Sequence, residues 1–331
     1  MFFLCDFYPP IIYRMSLREQ ITQKRPGIKS NTVDSYLTYL NKLYKLTGGE
    51  GKAPASTAWL KDASKITSAL SAYKSTTKKN FYNAIVVVLG ATGADSELIT
   101  EYGGKRDREH QQYEEMVKSH RKTDRQEKNW VELSEIDDIL KQYKRRANEI
   151  YKKKHGNPAK DYAALQEYII LLTYRNIPMR NDVANMRVVT PLEYKHIPPA
   201  TREEHNYLVG SARVPFHFQI NEYKTKKSFG KRKVNIPKPV NREIRKWLRV
   251  NTSGYFLTNS TRKEPISPNG ITKLLTKIFQ EHTGKNVSTS MIRHIYLSDK
   301  YKHDIKTDAA KEKDAHVMAH SLKMQKDYVK V

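Results

Sequence analysis

The second half of the sequence carries a small set of cationic and nucleophilic residues at the edges of segments that are otherwise apolar. They occur in the order Arg180, Lys224, Arg293, His320 and Tyr328. Arginine and lysine side chains bind anions, histidine exchanges protons near neutral pH, and a tyrosine hydroxyl can serve as a nucleophile. This combination makes the set the first candidate for a functional site.

Arg293 is the most unusual member of the set because it lies in the middle of a predicted helix. Ile292 and Ile295 flank it in the segment STSMIRHIYLS, and such a helix must bury one face. A guanidinium on a buried face requires an anion. A carboxylate of the protein could supply that anion, which is the ordinary structural alternative to a ligand.

Structural roles are also open for the other four residues. Arg180 could be a surface residue paired with Asp182, and Lys224 could be one of many solvated lysines in its segment. His320 could be a capping or core histidine, and Tyr328 is one of 21 tyrosines. Taken one at a time, these residues do not define a site.

The charge of the whole chain favours a polyanionic partner. Its 331 residues include 60 Lys and Arg against 35 Asp and Glu, a formal net charge of +25. Nucleic acid is the usual partner for so large an excess, because each neutralised phosphate releases counterions. A hydrophobic content of 38% indicates a folded protein.

Several other classes of chemistry lack their motifs. The single Cys5 rules out internal disulfides and zinc clusters built from several thiolates. The sequence contains no GxxxxGKS/T phosphate loop, no GxGxxG, no HExxH and no CxxC. We therefore expect no metal, no nucleotide cofactor and an intracellular, soluble protein.

Composition and spacing divide the chain into four parts. They are an N-terminal arm over residues 1–25, a helical domain over 26–121, a linker over 122–129 and a second domain over 130–331. The start is apolar, but Asp6 and the Pro9-Pro10 pair interrupt it well short of a membrane-spanning length. We interpret it as a disordered or docking arm, with Met15 as an alternative start.

Apolar periodicity predicts a mainly α fold with one small β-hairpin. Helices are predicted over 30–46, 77–91, 133–143, 161–173, 268–283, 289–301 and 308–319, with a short last helix that carries Tyr328. Ser134 and Asp137 form a capping-box pattern, Ser267 and Gly284 bracket another helix, and Ser321 could cap the last one. The alternating segment 213–237, with a turn at KSFG, predicts the hairpin.

Three segments together resemble one known family. PMRNDVANM, YKTKKSFGKRKVNIP and MAHS followed by DYVK are similar to motifs of the tyrosine recombinases, most of all to versions from large eukaryotic DNA viruses and their virophages. The resemblance covers the region from about 129 to 331, and 30–92 looks like the family's core-binding domain. It implies a two-domain DNA clamp that acts as a homo-tetramer on two sites of double-stranded DNA.

The resemblance also implies a role for each candidate. Arg180 and Arg293 would hold the scissile phosphate, His320 would donate to a non-bridging oxygen, and Tyr328 would form a 3′-phosphotyrosyl bond. Lys224 would protonate the leaving 5′-hydroxyl, with Lys226 and Lys227 as close rivals. This chemistry needs neither ATP nor a metal, and it would integrate or excise a viral or mobile genome in the host nucleus or a viral factory.

Two departures from the family pattern affect the site. Ser290 stands three residues before Arg293 where the family most often has histidine, so removal of the tyrosine proton could fall to His320, to His294 or to water. The spacing from His320 to Tyr328 is one residue shorter than usual. A type IB topoisomerase-like enzyme and a non-catalytic DNA-binding protein on the same fold are the alternatives.

Overall fold

The computed structural model describes residues 15–54, 56–152, 158–301 and 308–330. The chain forms two compact units, Met1–Ser119 and His120–Val331. Most of the arm predicted over residues 1–25 lies outside the described residues, but Leu17–Lys24 form helix α1, in which Ile21 is buried. Residues 122–129, predicted as a linker, contain helix α6 (Asp124–Asn129), which belongs to the second unit.

The first unit is helical throughout its described part. Besides α1 it contains α2 (Ser30–Leu46), a 3₁₀ helix (Ala58–Lys61), α3 (Ala63–Ala69), α4 (Ser75–Ala91) and α5 (Ser96–Lys118). Helical spacing of Phe81, Ile85 and Val88 places these α4 residues on one buried face, which packs against α2. Within this core the Tyr102 hydroxyl donates to the Leu60 carbonyl oxygen at 2.7 Å.

The helices of the second unit surround the long, buried helix α8. Their bounds are α7 (Leu133–Lys152), α8 (Pro158–Asn176), α9 (Pro191–His196), α10 (Pro199–Glu204), α11 (Lys226–Phe229), α12 (Lys238–Val250), α13 (Pro268–Thr283), α14 (Thr289–Tyr301), α15 (Asp308–Met318) and α16 (Leu322–Tyr328). α8 is apolar around most of its circumference, as the sequence predicts, and it contacts α7, α12, α13 and α14. This central packing fixes the elements that carry the candidate residues.

A four-stranded sheet lies within the same unit. Its strands are β1 (Arg187–Val189), β2 (Tyr207–Val209), β3 (His217–Ile220) and β4 (Arg232–Asn235), in the order β1-β2-β3-β4. β1 and β2 are parallel, whereas the other neighbours are antiparallel. The predicted hairpin is confirmed, since β3 pairs with β4 and Phe218 and Val234 are buried opposite each other. The fold is therefore mainly α with a small sheet, as predicted.

Helix caps explain several of the observed boundaries. The Ser267 hydroxyl accepts from the Gly270 amide at 3.0 Å at the start of α13, and Gly284 ends that helix with φ +68°. The predicted Ser134–Asp137 capping box is wrong, because α7 begins before Ser134 and the Asp137 carboxylate accepts two hydrogen bonds from Arg175 instead. The local cap lies elsewhere, since the Glu135 carboxylate accepts from the Glu132 amide at 2.7 Å.

Candidate functional site

Arg180 lies in a short, well-anchored segment between α8 and β1. The Tyr174 hydroxyl on α8 donates to the Arg180 carbonyl at 3.3 Å. The next side chain, Asn181, donates to the Pro268 carbonyl at 2.6 Å and to the Thr272 hydroxyl at 2.9 Å on α13. These hydrogen bonds hold the backbone from which the guanidinium projects.

The Arg180 guanidinium binds the end of helix α15. Its Nη1 donates to the carbonyl oxygens of Met318 at 3.1 Å and Ala319 at 2.8 Å, while Nε and Nη2 make no hydrogen bond to a described residue. The structural alternative, a surface pair with Asp182, is not what the structure has, because the Asp182 carboxylate pairs with Arg232. Arg180 therefore keeps two donor nitrogens for another partner.

Arg293 is buried in α14 without the carboxylate that an ordinary structural role requires. Its side chain belongs to a residue only 7% exposed, and neither Nε nor Nη1 has a hydrogen-bond partner among the described residues. The guanidinium carbon lies 5.3 Å from the centre of the Tyr328 ring. Burial lowers the pKa of Arg293 more than Tyr328 and Asp182 raise it, and no carboxylate of a described residue pairs with the guanidinium.

His320 is the second buried group that lacks partners. It is 2% exposed, and neither Nδ1 nor Nε2 hydrogen-bonds to a described residue. Burial, followed by the positive charges of Arg180, Arg293 and Arg232, lowers the pKa of His320 to about 4. The imidazole is thus neutral at physiological pH, with one nitrogen able to donate and the other to accept.

Tyr328 lies at the end of α16, between these groups. Its ring stacks on the His320 imidazole, with centroids 5.1 Å apart and an interplanar angle of 20°, and its centroid is 4.7 Å from that of His294. The His294 Nδ1 donates to the Tyr328 carbonyl oxygen at 3.0 Å. Two residues later the Lys330 amide donates to the Ser298 hydroxyl at 2.7 Å, so α14 anchors the end of the chain.

The predicted cap of α16 helps to fix the tyrosine. The Ser321 hydroxyl accepts from the Met324 amide at 3.2 Å, as the sequence predicts. Gln325, which is buried, donates to the Tyr301 hydroxyl at 2.8 Å. This contact ties α16 to α14 on the side away from the cap.

Lys224 is exposed in the connection between β3 and β4. It makes no hydrogen bond or ion pair with a described residue, whereas its rival Lys226 donates to the Glu203 carbonyl at 3.1 Å and lies 3.7 Å from the Glu222 carboxylate. The hydroxyl of Thr225 donates to the Ala319 carbonyl at 3.1 Å, next to His320. Lys224 therefore lies on a segment attached to the site, with its ammonium outside the buried cluster.

Two further residues complete the cluster, and neither was predicted as part of it. Arg232 on β4 is 1% exposed, and its Nη2 lies 3.2 Å from the Asp182 carboxylate. Burial raises the pKa of Asp182, although Arg232, Arg180 and Arg293 all oppose that rise. The sequence feature that could have indicated Arg232 is its spacing. It lies two and four residues before the buried Val234 and Ile236, so all three share the inward face.

The cluster has more positive charge than its own carboxylate can balance. Three guanidinium groups face one carboxylate, and the free nitrogens of Arg293 and His320 lie around the Tyr328 ring. Arginine presents donors in a planar fork that matches carboxylate and phosphate oxygens. Such an arrangement can accept an anion with several acceptor oxygens next to a tyrosine hydroxyl.

Two other classes of site can be judged from the described residues. Among residues 15–54, 56–152, 158–301 and 308–330, no group of three or more His, Cys, Asp or Glu residues could hold a metal ion. Within the same residues, no helix is both long and apolar enough to cross a membrane.

The fold of this chain is similar to the folds of solved protein structures. No family model matches the sequence, and no curated protein matches it. The crystal structure of XerA recombinase is similar over 95% of this chain and 93% of that chain, with 10% identity and a TM-score of 0.40. Because similarity at this level does not establish a shared function, the chemistry is inferred from the site residues themselves.

Proposed function

We propose that this chain is a site-specific DNA strand transferase of the tyrosine-recombinase type. The observation that carries the proposal is that Arg293 and His320, which flank the ring of Tyr328, are buried and have nitrogens without a hydrogen-bond partner among the described residues. A buried cation that lacks a carboxylate is unfavourable unless a ligand supplies the anion. Together with the net charge of +25, this supports a phosphodiester of DNA as the ligand.

In the first step the Tyr328 hydroxyl oxygen attacks the scissile phosphorus. A bond forms between the tyrosine oxygen and phosphorus, and the bond from phosphorus to the 5′ oxygen breaks. The free nitrogens of Arg180 and Arg293, with one nitrogen of His320, are the donors for the non-bridging oxygens, whose charge increases in the transition state. The products are a 3′-phosphotyrosyl bond and a 5′-hydroxyl, so the phosphodiester energy is retained for religation.

Two proton transfers accompany this step. Lys224 gives a proton to the leaving 5′ oxygen, which fits an ammonium that is exposed and unpaired among described residues. The phenolic proton passes to one of the two neutral imidazoles beside the ring, His320 or His294, since the His294 Nε2 remains an acceptor while its Nδ1 donates to the Tyr328 carbonyl. Ser290 is exposed and forms no hydrogen bond with a described residue, and we assign it no proton transfer.

The finer assignments rest on the sequence resemblance. We infer from it that the two units correspond to a core-binding domain and a catalytic domain, and that the protein acts as a tetramer on two DNA sites to integrate or excise a viral or mobile genome. The contacts of Tyr328 support attack in cis, since α14 and α16 of the same chain hold its ring and its carbonyl.

Covalent capture on a randomised DNA pool tests the proposal whatever the target sequence is. Each duplex carries a nick beside a randomised segment, so that a short 5′-hydroxyl fragment is lost after cleavage and the protein stays attached. The proposal predicts an adduct that survives denaturation and a consensus among the captured sequences. Binding without any adduct from the whole pool would instead indicate a non-catalytic DNA-binding protein.

A second assay separates recombinase from topoisomerase activity. The protein is incubated with a supercoiled plasmid that lacks the selected consensus and with one that carries it. A recombinase acts only on the plasmid with the site, whereas a type IB topoisomerase-like enzyme would relax both.

A further inference from the structure

The end of helix α15 is held by side chains rather than by the helix itself. The last carbonyl groups of any α-helix have no amide partner within it. Here Arg232 Nη1 donates to the carbonyl oxygens of His316 and Val317, at 2.8 Å each, and Arg180 Nη1 donates to those of Met318 and Ala319. Two cations at a helix C-terminus also interact favourably with its dipole.

The turn that follows α15 sets the direction of His320. Ala319 has φ +54°, a left-handed conformation usual for glycine at this position, and its amide donates to His316 at 3.2 Å. The His320 amide donates to the Ala315 carbonyl at 3.1 Å. Both Ala319 and His320 are buried, so the imidazole has little freedom once this turn is fixed.

Arg232 connects this turn to two other parts of the unit. Besides the α15 carbonyls, it pairs with Asp182, which lies two residues after Arg180, and its guanidinium carbon lies 4.4 Å from the ring centre of Tyr223. Tyr223 directly precedes Lys224, and its hydroxyl donates to the Gly230 carbonyl at 2.6 Å. One planar guanidinium therefore contacts the segments that carry Arg180, Lys224 and His320.

We propose that Arg232 is a positioning residue, which fixes the α15–α16 turn and the His320 imidazole relative to Arg180 and to the segment that carries Lys224. Its Nη1 and Nη2 donate to protein acceptors and only its buried Nε has no partner among the described residues, so it acts mainly through its neighbours rather than on the phosphate. The catalytic meaning of this role rests on the proposed function. Whether Arg232 fixes the turn can be measured independently of the proposed function.

The variants must separate positioning from simple loss of stability. Arg232→Met alone would leave Asp182 buried and unpaired, so the main variant is the double substitution Arg232→Met/Asp182→Asn. Arg232→Lys retains the charge but cannot span two carbonyls and a carboxylate in one plane. Lys233→Met, on the exposed side of the same strand, is the matched control for loss of one positive charge.

Hydrogen exchange on the full-length protein without DNA gives the first test. We expect the Ala319 and His320 amides to exchange about tenfold faster in the double variant than in the wild type, while amides in the middle of α8 are unchanged. Arg232→Lys should give the same local effect if the double variant does not fold. Unchanged exchange at these two amides in the folded variants would overturn the proposal.

The second readout is the adduct reaction on a captured duplex. The proposal predicts that the rate of adduct formation at saturating DNA falls about tenfold or more in both variants, with the half-saturating DNA concentration unchanged and Lys233→Met retaining the wild-type rate. If Lys233→Met loses affinity and rate to the same extent as the Arg232 variants, the positioning role of Arg232 is overturned. If the wild type forms no adduct, the proposed function fails, and the exchange result still decides whether Arg232 fixes the turn.

Discussion

The rings of His320 and Tyr328 stack with centroids 5.1 Å apart and an interplanar angle of 20°. This contact brings a buried neutral imidazole, whose two nitrogens lack partners among the described residues, against the tyrosine at the end of α16. The Arg293 guanidinium approaches the same ring. The groups that the proposal names as anion-binding group and proton acceptor therefore both lie against the ring of the proposed nucleophile.

Removal of one hydroxyl should separate binding from chemistry. In Tyr328→Phe the ring contacts and the main-chain bond to His294 are kept, so the fold should be intact. We expect no adduct, with DNA affinity and its steep salt dependence unchanged. Denaturing gels and titrations at several salt concentrations measure both quantities, and Tyr296→Phe on α14 is the control. An adduct from Tyr328→Phe would exclude this residue as the nucleophile.

Substitution of Arg293 should have opposite effects on stability and activity. Arg293→Met removes a buried charge with no carboxylate partner, so we expect the free energy of unfolding to be unchanged or to rise by about 1 kcal/mol. Adduct formation should fall by about 10²-fold or more, because donors to the phosphate are lost. Urea unfolding and adduct kinetics measure the two effects.

Arg232→Met is the natural comparison for Arg293→Met. It breaks the buried pair with Asp182 and two hydrogen bonds to main-chain carbonyls, so it should destabilise the protein by about 3–5 kcal/mol. If Arg293→Met is as destabilising as Arg232→Met, then Arg293 has a structural partner and its assignment as an anion-binding group is wrong.

Stability should decrease as the pH falls from about 6.5 to about 4. Burial is the first cause that lowers the pKa values of His320 and His294 to about 4, from an ordinary value near 6.5. Between these values the unfolded chain binds more protons than the folded one, so acid favours unfolding. For His320 the loss is about 2–3 kcal/mol by linkage.

A neutral replacement identifies the contribution of His320 to this pH dependence. The difference in unfolding free energy between pH 7 and pH 4.5 should be smaller in His320→Gln than in the wild type. His316→Gln, on the exposed side of α15, should retain the wild-type difference. Equal pH dependence in all three proteins would show that His320 is not buried in its neutral form.

A better leaving group should rescue loss of the general acid. Lys224→Met should slow cleavage of an ordinary duplex by about 10²-fold or more. A duplex with sulfur in place of the 5′ bridging oxygen should be cleaved at nearly the wild-type rate, since a thiolate leaves without protonation. Lys226→Met is the control, because Lys226 binds Glu203 and Glu222. Rescue of Lys226→Met instead of Lys224→Met would reassign the general acid.

Local patterns predict the parts of the fold that local chemistry determines. The periodicity of residues 30–46 predicts helix α2 at its observed bounds, and Ser267 and Gly284 mark the ends of α13. The Ser134–Asp137 pattern fails because Asp137 binds Arg175 from another helix, and a pairing between helices leaves no local trace. Helix α6 lies where a linker is predicted, because its six residues are all polar and give no apolar periodicity.

The sequence predicts only part of the candidate site. Arg180, Arg293, His320 and Tyr328 lie in recognisable motifs, and the structure brings them together. Arg232 is not predicted because it is one of 60 Lys and Arg residues in the sequence. Only its spacing of two and four residues from Val234 and Ile236, which share its face of the strand, indicates that it is buried. The partner of Asp182 depends on packing between β4 and the segment after α8, which spacing along the chain does not encode.

Mapping of the covalent linkage tests the central claim most directly. The wild-type adduct is isolated under denaturing conditions, digested with nuclease and protease, and analysed by mass spectrometry to locate the modified residue and the end of the DNA to which it is joined. We predict a 3′-phosphotyrosyl bond at Tyr328. Attachment through a 5′ phosphate, or at any residue other than Tyr328, would contradict the proposed function.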